Sequence, residues 1–167
     1  RAAAGAKQYG DALKLALKQT GRAQLLSFDG GWHGRTTLAL SVTDDPKITE
    51  PYAAILPQNL RLPFADIAAL EAFDFSRVAA VIVEPIQSMS GIRCAPRAWF
   101  ARLRELTSAA GTWLIFDEIQ TGMSRMGVPS AAEFYGVQPD AISLAKGLAS
   151  GVPIGATVLS AERAAAV

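Results

Sequence analysis

Two side chains of opposite charge stand at the ends of two short apolar runs. Trp113-Leu114-Ile115-Phe116 leads into the adjacent acids Asp117 and Glu118, and Ala141-Ile142-Ser143-Leu144-Ala145 leads into Lys146. Runs of this length, rich in β-branched and aromatic residues and bounded by Gly and Pro, read as buried strands of a parallel sheet, although periodicity alone leaves a buried helical segment open. As neighbouring parallel strands they would deliver Asp117 and Lys146 to their carboxyl ends, the edge at which open α/β sheets bind ligands. An acid and an amine then share one crevice. A lysine partly withdrawn from water has a lowered pKa, so its amine can attack a carbonyl and carry a proton near neutral pH.

That pairing suits pyridoxal 5'-phosphate (PLP). The cofactor aldehyde is held by a lysine as a Schiff base, and an ionised acid facing the pyridine nitrogen keeps it protonated, so that the ring draws electrons from the substrate. Lys146 would supply the amine and later move the proton, and Asp117 would supply the counter-charge.

The motifs around these residues resemble a known family. Leu114-Ile115-Phe116-Asp117-Glu118-Ile119-Gln120-Thr121-Gly122-Met123, Pro139-Asp140, Leu144-Ala145-Lys146-Gly147-Leu148 and Pro153-Ile154-Gly155-Ala156 are similar to the signature of class III aminotransferases, as is the 29-residue spacing from Asp117 to Lys146. Gly31-Trp32-His33-Gly34-Arg35-Thr36 resembles the aromatic-His-Gly-Arg-Thr turn of that family, and Val83-Glu84-Pro85-Ile86-Gln87 its Glu-Pro-Ile-Gln loop. The resemblance implies the large domain of a fold type I PLP-dependent transferase, α/β, with a mostly parallel sheet flanked by helices. It further implies transfer of an amino group from an amine or ω-amino acid donor to a 2-oxo acid by a ping-pong cycle through pyridoxamine phosphate. An aminomutase or decarboxylase of the same fold, or a non-catalytic module retaining it, is the alternative. In the family the subunit is more than twice this length and forms a homodimer with a shared active site. Residues 1–167 are therefore expected to be part of the PLP-binding large domain, with an N-terminal segment and a C-terminal small domain absent.

The remaining candidates divide between local and family readings. Gly5-Ala6 precedes a helical segment carrying Tyr9, Leu13 and Leu17 on one face, and N–H groups at such a start can hold a phosphate. Trp32 is read either as core filler or as a ring stacked on the cofactor; the family places an aromatic there, usually Phe or Tyr. His33 is a hydrogen-bonded loop residue or a neighbour on the substrate side. Glu84 is a hydrogen-bonded loop acid or, by resemblance, an active-site acid near the cofactor oxygen. By resemblance Gln120 donates to the phenolic oxygen of the cofactor. Met89 stands where ornithine, acetylornithine and 4-aminobutyrate types commonly carry a switching Glu, and a thioether cannot form that ion pair.

Composition bounds the rest. The chain has 167 residues, 50% hydrophobic and 19% charged, with net charge +1, which gives no electrostatic footprint for nucleic acid. The single cysteine, Cys94, points to a reducing compartment, and no apolar stretch approaches the roughly 20 residues that span a bilayer, so a cytoplasmic protein without a membrane or metal partner is expected. No hydrolase elbow, dinucleotide loop or phosphate loop of the Gly-Lys-Ser/Thr type is present.

Further elements are expected as strands at Gln24–Phe28, Val78–Val83 and Val158–Ser160, helices at Arg35–Val42 and Asp66–Phe73, and a helix starting at Pro96 with Trp99, Leu103 and Leu106 facing inward. In the second of these helices Ile67, Ala69 and Leu70 are the inward candidates. Residues 43–63, with Pro46, Pro51 and Pro57, read as an irregular loop lining a site or an interface.

Overall fold

A computed structural model describes residues 4–149 and 151–166, with side chains from Gly10 onward. In chain order the strands are β1 (Gln24–Phe28), β2 (Leu60–Leu62), β3 (Val78–Val83), β4 (Ile86–Gln87), β5 (Arg93–Cys94), β6 (Trp113–Asp117), β7 (Ala141–Leu144) and β8 (Ala156–Leu159). The helices are α1 (Ala4–Thr20), α2 (Thr37–Ser41), α3 (Pro46–Thr49), α4 (Ile67–Ala72), α5 (Arg97–Ala109), α6 (Ala131–Tyr135) and α7 (Ala161–Ala164).

Six strands form one sheet in the order β2-β1-β3-β6-β7-β8, parallel except for β8, while β4 and β5 make a separate hairpin. Along β6 the period of two is plain. Leu114 and Phe116 enter one core with Trp99, Phe100 and Leu103 of α5, and Trp113 and Ile115 enter the other with Ala12, Leu13 and Ala16 of α1. Helices therefore cover both faces, the arrangement that lets a parallel strand be apolar throughout. The α5 face is closed by edge-to-face rings, with centroids 4.9 Å apart for Phe28 and Trp99 and 5.0 Å for Trp99 and Phe100. Truncating the fully buried Trp99 to alanine would cost about 3–5 kcal/mol.

The ends of the elements follow local chemistry. Asp66 caps α4, Ser130 caps α6, and Gly136 ends α6 with φ +69. Pro96 is the residue before α5 rather than its first helical position. At the amino ends of β6 and β7, opposite the edge that carries the acid and the amine, the Asp140 carboxylate accepts from the Leu114 N–H, Arg104 and Arg163, each at 2.8 Å.

Four further expectations change. The 43–63 stretch contains α3, a short 3-10 turn and β2, which pairs in parallel with β1. Ile67 faces solvent and Ala69 is half-buried, leaving Leu70 as the buried anchor of α4. Helix α1 already includes Gly5 and Ala6 in its first turn rather than starting after them. The last strand begins two residues earlier than expected and Ser160 becomes the cap of α7.

Candidate active site

Four adjacent parallel strands, β1, β3, β6 and β7, present their carboxyl ends along one edge. The chain reverses direction across the sheet there, since β1 is flanked by β2 on one side and β3 on the other. β1 delivers the 29–34 turn, β3 delivers Glu84, β6 ends at Asp117, and Lys146 follows β7 by two residues. Val83 is in register with Phe116, and Asp117 with Ser143, so Glu84, Asp117 and the end of β7 lie at one level.

Asp117 is 4% exposed. One oxygen lies 2.9 Å from Nδ1 of the buried His33, and the other accepts the Ile119 N–H at 3.2 Å. An ionised carboxylate in that position selects the His33 tautomer with the proton on Nδ1. His33 is pinned in turn, because its N–H donates to the buried Thr43 hydroxyl at 2.9 Å, and that hydroxyl donates to the Ala39 carbonyl. The turn requires glycine at position 30, where φ is +75 and a Cβ would lie 2.6 Å from Ser90 Oγ.

Glu84 is also buried. It accepts the Trp32 N–H at 2.7 Å, which ties the 29–34 turn to the end of β3. Loss of solvent raises its pKa from the usual carboxyl value to about 7, with Asp117 adding to the rise and His33 and the N–H groups of Trp32 and Ser88 opposing it. The Trp32 ring is half-buried and carries the Arg35 guanidinium 5.8 Å from its centroid.

The Lys146 amine remains accessible but is shielded on its protein side. This desolvation lowers its pKa, and the charges of Asp117 and Glu84 partly restore it. Lys146 and Gln120 line a hollow of about 760 Å³. Gln120 donates its amide to the Ser88 hydroxyl, which joins the loop after β6 to the loop after β3.

The structure thus brings Asp117, His33, Glu84 and the Trp32 backbone into one hydrogen-bonded group, sets Lys146 in the field of both carboxylates, and places Gln120 beside it. Met89 is 62% exposed. Gly5 and Ala6 are backbone in the first turn of α1, and their side chains lie outside the described residues.

Three residues of the site had no assigned role in the sequence reading. Ser143, 0% exposed and level with Asp117, has a hydroxyl with no hydrogen-bond partner among the described residues; a serine inside an apolar strand was the available signal. Ser88 had none, because its partner Gln120 is distant in sequence. Glu118 accepts the N–H groups of Ala131 and Ala132 at 2.6 and 3.0 Å and so fixes the loop between β6 and α6. Burial raises its pKa, against the pull of those two N–H groups.

A buried carboxylate, an amine of lowered pKa, an indole and an orphaned hydroxyl on one sheet edge form a donor set suited to a polar aromatic aldehyde, with the carboxylate for a ring nitrogen and the amine for the carbonyl. Residues 1–167 match the model for aminotransferase class-III, and the chain belongs to that PLP-dependent family. It is 45% identical over 155 residues to the acetylornithine aminotransferase of Methanopyrus kandleri, covering 93% of this chain and 40% of that protein. It is 40% identical over 147 residues to the acetylornithine aminotransferase of Rhodobacter capsulatus, covering 88% and 37%. Among solved structures it is similar to the ornithine aminotransferase of Toxoplasma gondii, whose active site holds PLP at partial occupancy; the TM-score is 0.88, with 31% identity over 97% of this chain and 40% of that one. The chain spans about 40% of the length of the curated relatives it matches.

Proposed function

We propose that the full-length protein is a PLP-dependent aminotransferase that moves an amino group from an amine or ω-amino acid donor to a 2-oxo acid, and that residues 1–167 are part of its cofactor-binding large domain. The observation that carries this reading is the pairing of a buried, His33-braced Asp117 with a desolvated Lys146 two residues beyond the neighbouring strand. When bound, PLP would supply a carbonyl carbon that takes up the amino group and a ring that draws electrons from the substrate.

The chain's own residues would do the rest. Asp117 would hold a charge against the ring nitrogen, and His33 would hold Asp117. Lys146, its pKa lowered by desolvation of the amine, would bind the carbonyl and then move a proton at its Nζ. Trp32 would flank the ring, Gln120 and Ser143 would offer polar contacts at its rim, and the first turn of α1, with Gly5 and Ala6, would face the phosphate. Glu84, with a pKa near neutrality, would take or release a proton beside Lys146.

The family relation supports a homodimer with a shared active site, and the exposed apolar Tyr52 and Ile55 support a covered face in the 43–63 region. A cytoplasmic address is supported by one free, exposed cysteine. No helix among the described residues is long and apolar enough to cross a membrane.

Titration of the full-length protein with PLP tests the reading. A visible absorbance band is expected with the parent and not with Lys146→Ala, and addition of a donor without acceptor should bleach it stoichiometrically. Carbon dioxide release in place of bleaching would assign a decarboxylase, and absence of a band would assign a non-catalytic module.

A further inference from the structure

The hollow beside Lys146 lies between two loops. Ile86, Ser88 and Ile92 of the β4–β5 hairpin form one side, and residues 119–126, after β6, form the other. Burial does little to hold the hairpin there. Its strands are two residues each, Arg93 and Cys94 are exposed, and so are Met89 and Ile92 in the turn between them. A two-stranded ribbon this short is marginal in water by itself, so its polar bonds to the neighbouring loops decide where it sits.

Those bonds run in two directions. Toward the turn after β1, the Gln87 amide donates to the Asp29 carbonyl at 2.9 Å, Arg93 to the same carbonyl at 3.2 Å, and the Ser90 hydroxyl to the Gly30 carbonyl at 2.5 Å. Toward the loop after β6, the Ser88 hydroxyl accepts the Gln120 amide, while the Ser88 N–H faces Glu84. The two serines are half-buried on either side of the exposed Met89. Ser88 thus meets both Gln120 and Glu84, polar groups that approach Lys146 from separate strands. A primary amide has two N–H groups and a carbonyl, so the bond to Ser88 holds the Gln120 side chain and leaves it able to meet a ligand.

We infer that Ser88 and Ser90 are positioning residues: their hydroxyls brace the loop carrying Gln120 against the turn carrying Trp32 and His33, and so fix the Gln120 amide where it meets the cofactor. The link to PLP rests on the aminotransferase reading; the brace itself does not.

The experiment uses the full-length protein. Hydrogen exchange of the cofactor-free form, resolved by segment, is expected to run at least about threefold faster over 119–126 in Ser88→Ala and over 29–34 in Ser90→Ala, as loss of one hydrogen bond allows. PLP titration followed by the visible band is expected to give a Kd about three- to tenfold higher in Ser88→Ala, with Ser88→Thr, which keeps the hydroxyl, close to the parent. Because Ser88 acts through Gln120, the double variant Ser88→Ala, Gln120→Ala should bind PLP within about twofold of Gln120→Ala alone. A hairpin with a purely structural role would instead weaken binding additively in the double variant. That additivity overturns the inference, as does a parental Kd in Ser88→Ala or parental exchange over the matching segment in either serine variant. If the parent shows no PLP band while the exchange pattern follows the two serines, the aminotransferase reading fails and the brace stands.

Discussion

Nδ1 of His33 lies 2.9 Å from Oδ2 of Asp117, and both side chains are almost sealed from solvent. The histidine comes from the turn after β1 and the acid from the end of β6, so the position of the carboxylate depends on a residue 84 positions away in sequence. In the full-length protein, His33→Ala is expected to lower kcat roughly a hundredfold by letting the carboxylate shift. Asp117→Asn should lower it by several orders of magnitude and weaken PLP binding. Steady-state kinetics at saturating PLP, with a cofactor titration for each variant, checks both. Parental turnover in either variant would remove the assigned role.

Glu84 makes stability depend on pH. Its folded pKa, about 7, is above the unfolded value of 4.5, so the folded state holds the extra proton between these values. The associated stability is fully present below pH 4.5 and is lost as pH rises through 7. Glu84→Gln keeps an acceptor for the Trp32 N–H and removes the titration. Urea unfolding of the cofactor-free protein at pH 4.5, 6 and 8 should show the variant gaining on the parent as pH rises, by up to about 3 kcal/mol at pH 8.

Glu118 holds two N–H groups of α6 with one buried carboxylate. Glu118→Ala leaves both donors buried without that partner and should cost about 3 kcal/mol, with Glu118→Gln falling between it and the parent because an amide has a single acceptor oxygen. The midpoint of urea unfolding at pH 8 reads the order of the three proteins.

Gly122 has no room for a side chain. A Cβ there would lie 2.6 Å from Leu144 Cδ2 and 2.8 Å from the Glu118 carbonyl oxygen. The leucine methyl can turn aside, but the carbonyl belongs to the backbone that carries Asp117. Gly122→Ala is expected to cost about 1–3 kcal/mol and to displace the loop facing Lys146, seen as a lower melting temperature together with weaker PLP binding.

Much of this arrangement was legible in the residues. Val78–Val83 and Trp113–Asp117 are rich in β-branched or aromatic residues, Gln24–Phe28 carries Leu25, Leu26 and Phe28, and each forms a strand where expected. β2 was hidden because its three residues are half-exposed and lie among prolines, and it is a strand only because β1 offers it a partner. Ile67 looked buried by type, but α4 is a single short helix whose Asp66 cap fixes its rotation and turns Leu70 inward. At the site, Asp117 and Lys146 were readable from strand ends, whereas the bonds of His33 to Asp117, Gln120 to Ser88 and Glu118 to α6 join segments whose proximity only the folded sheet creates.

Asp140 clamps the far ends of the same two strands, drawing the start of β6, helix α5 through Arg104 and helix α7 through Arg163 to one carboxylate. The separation between acid and amine is therefore set partly from the opposite rim. In a random mutagenesis screen scored on turnover, lesions at Arg104, Asp140 or Arg163 would sort with those at Asp117 and Lys146, although these three side chains meet at the opposite rim of the sheet.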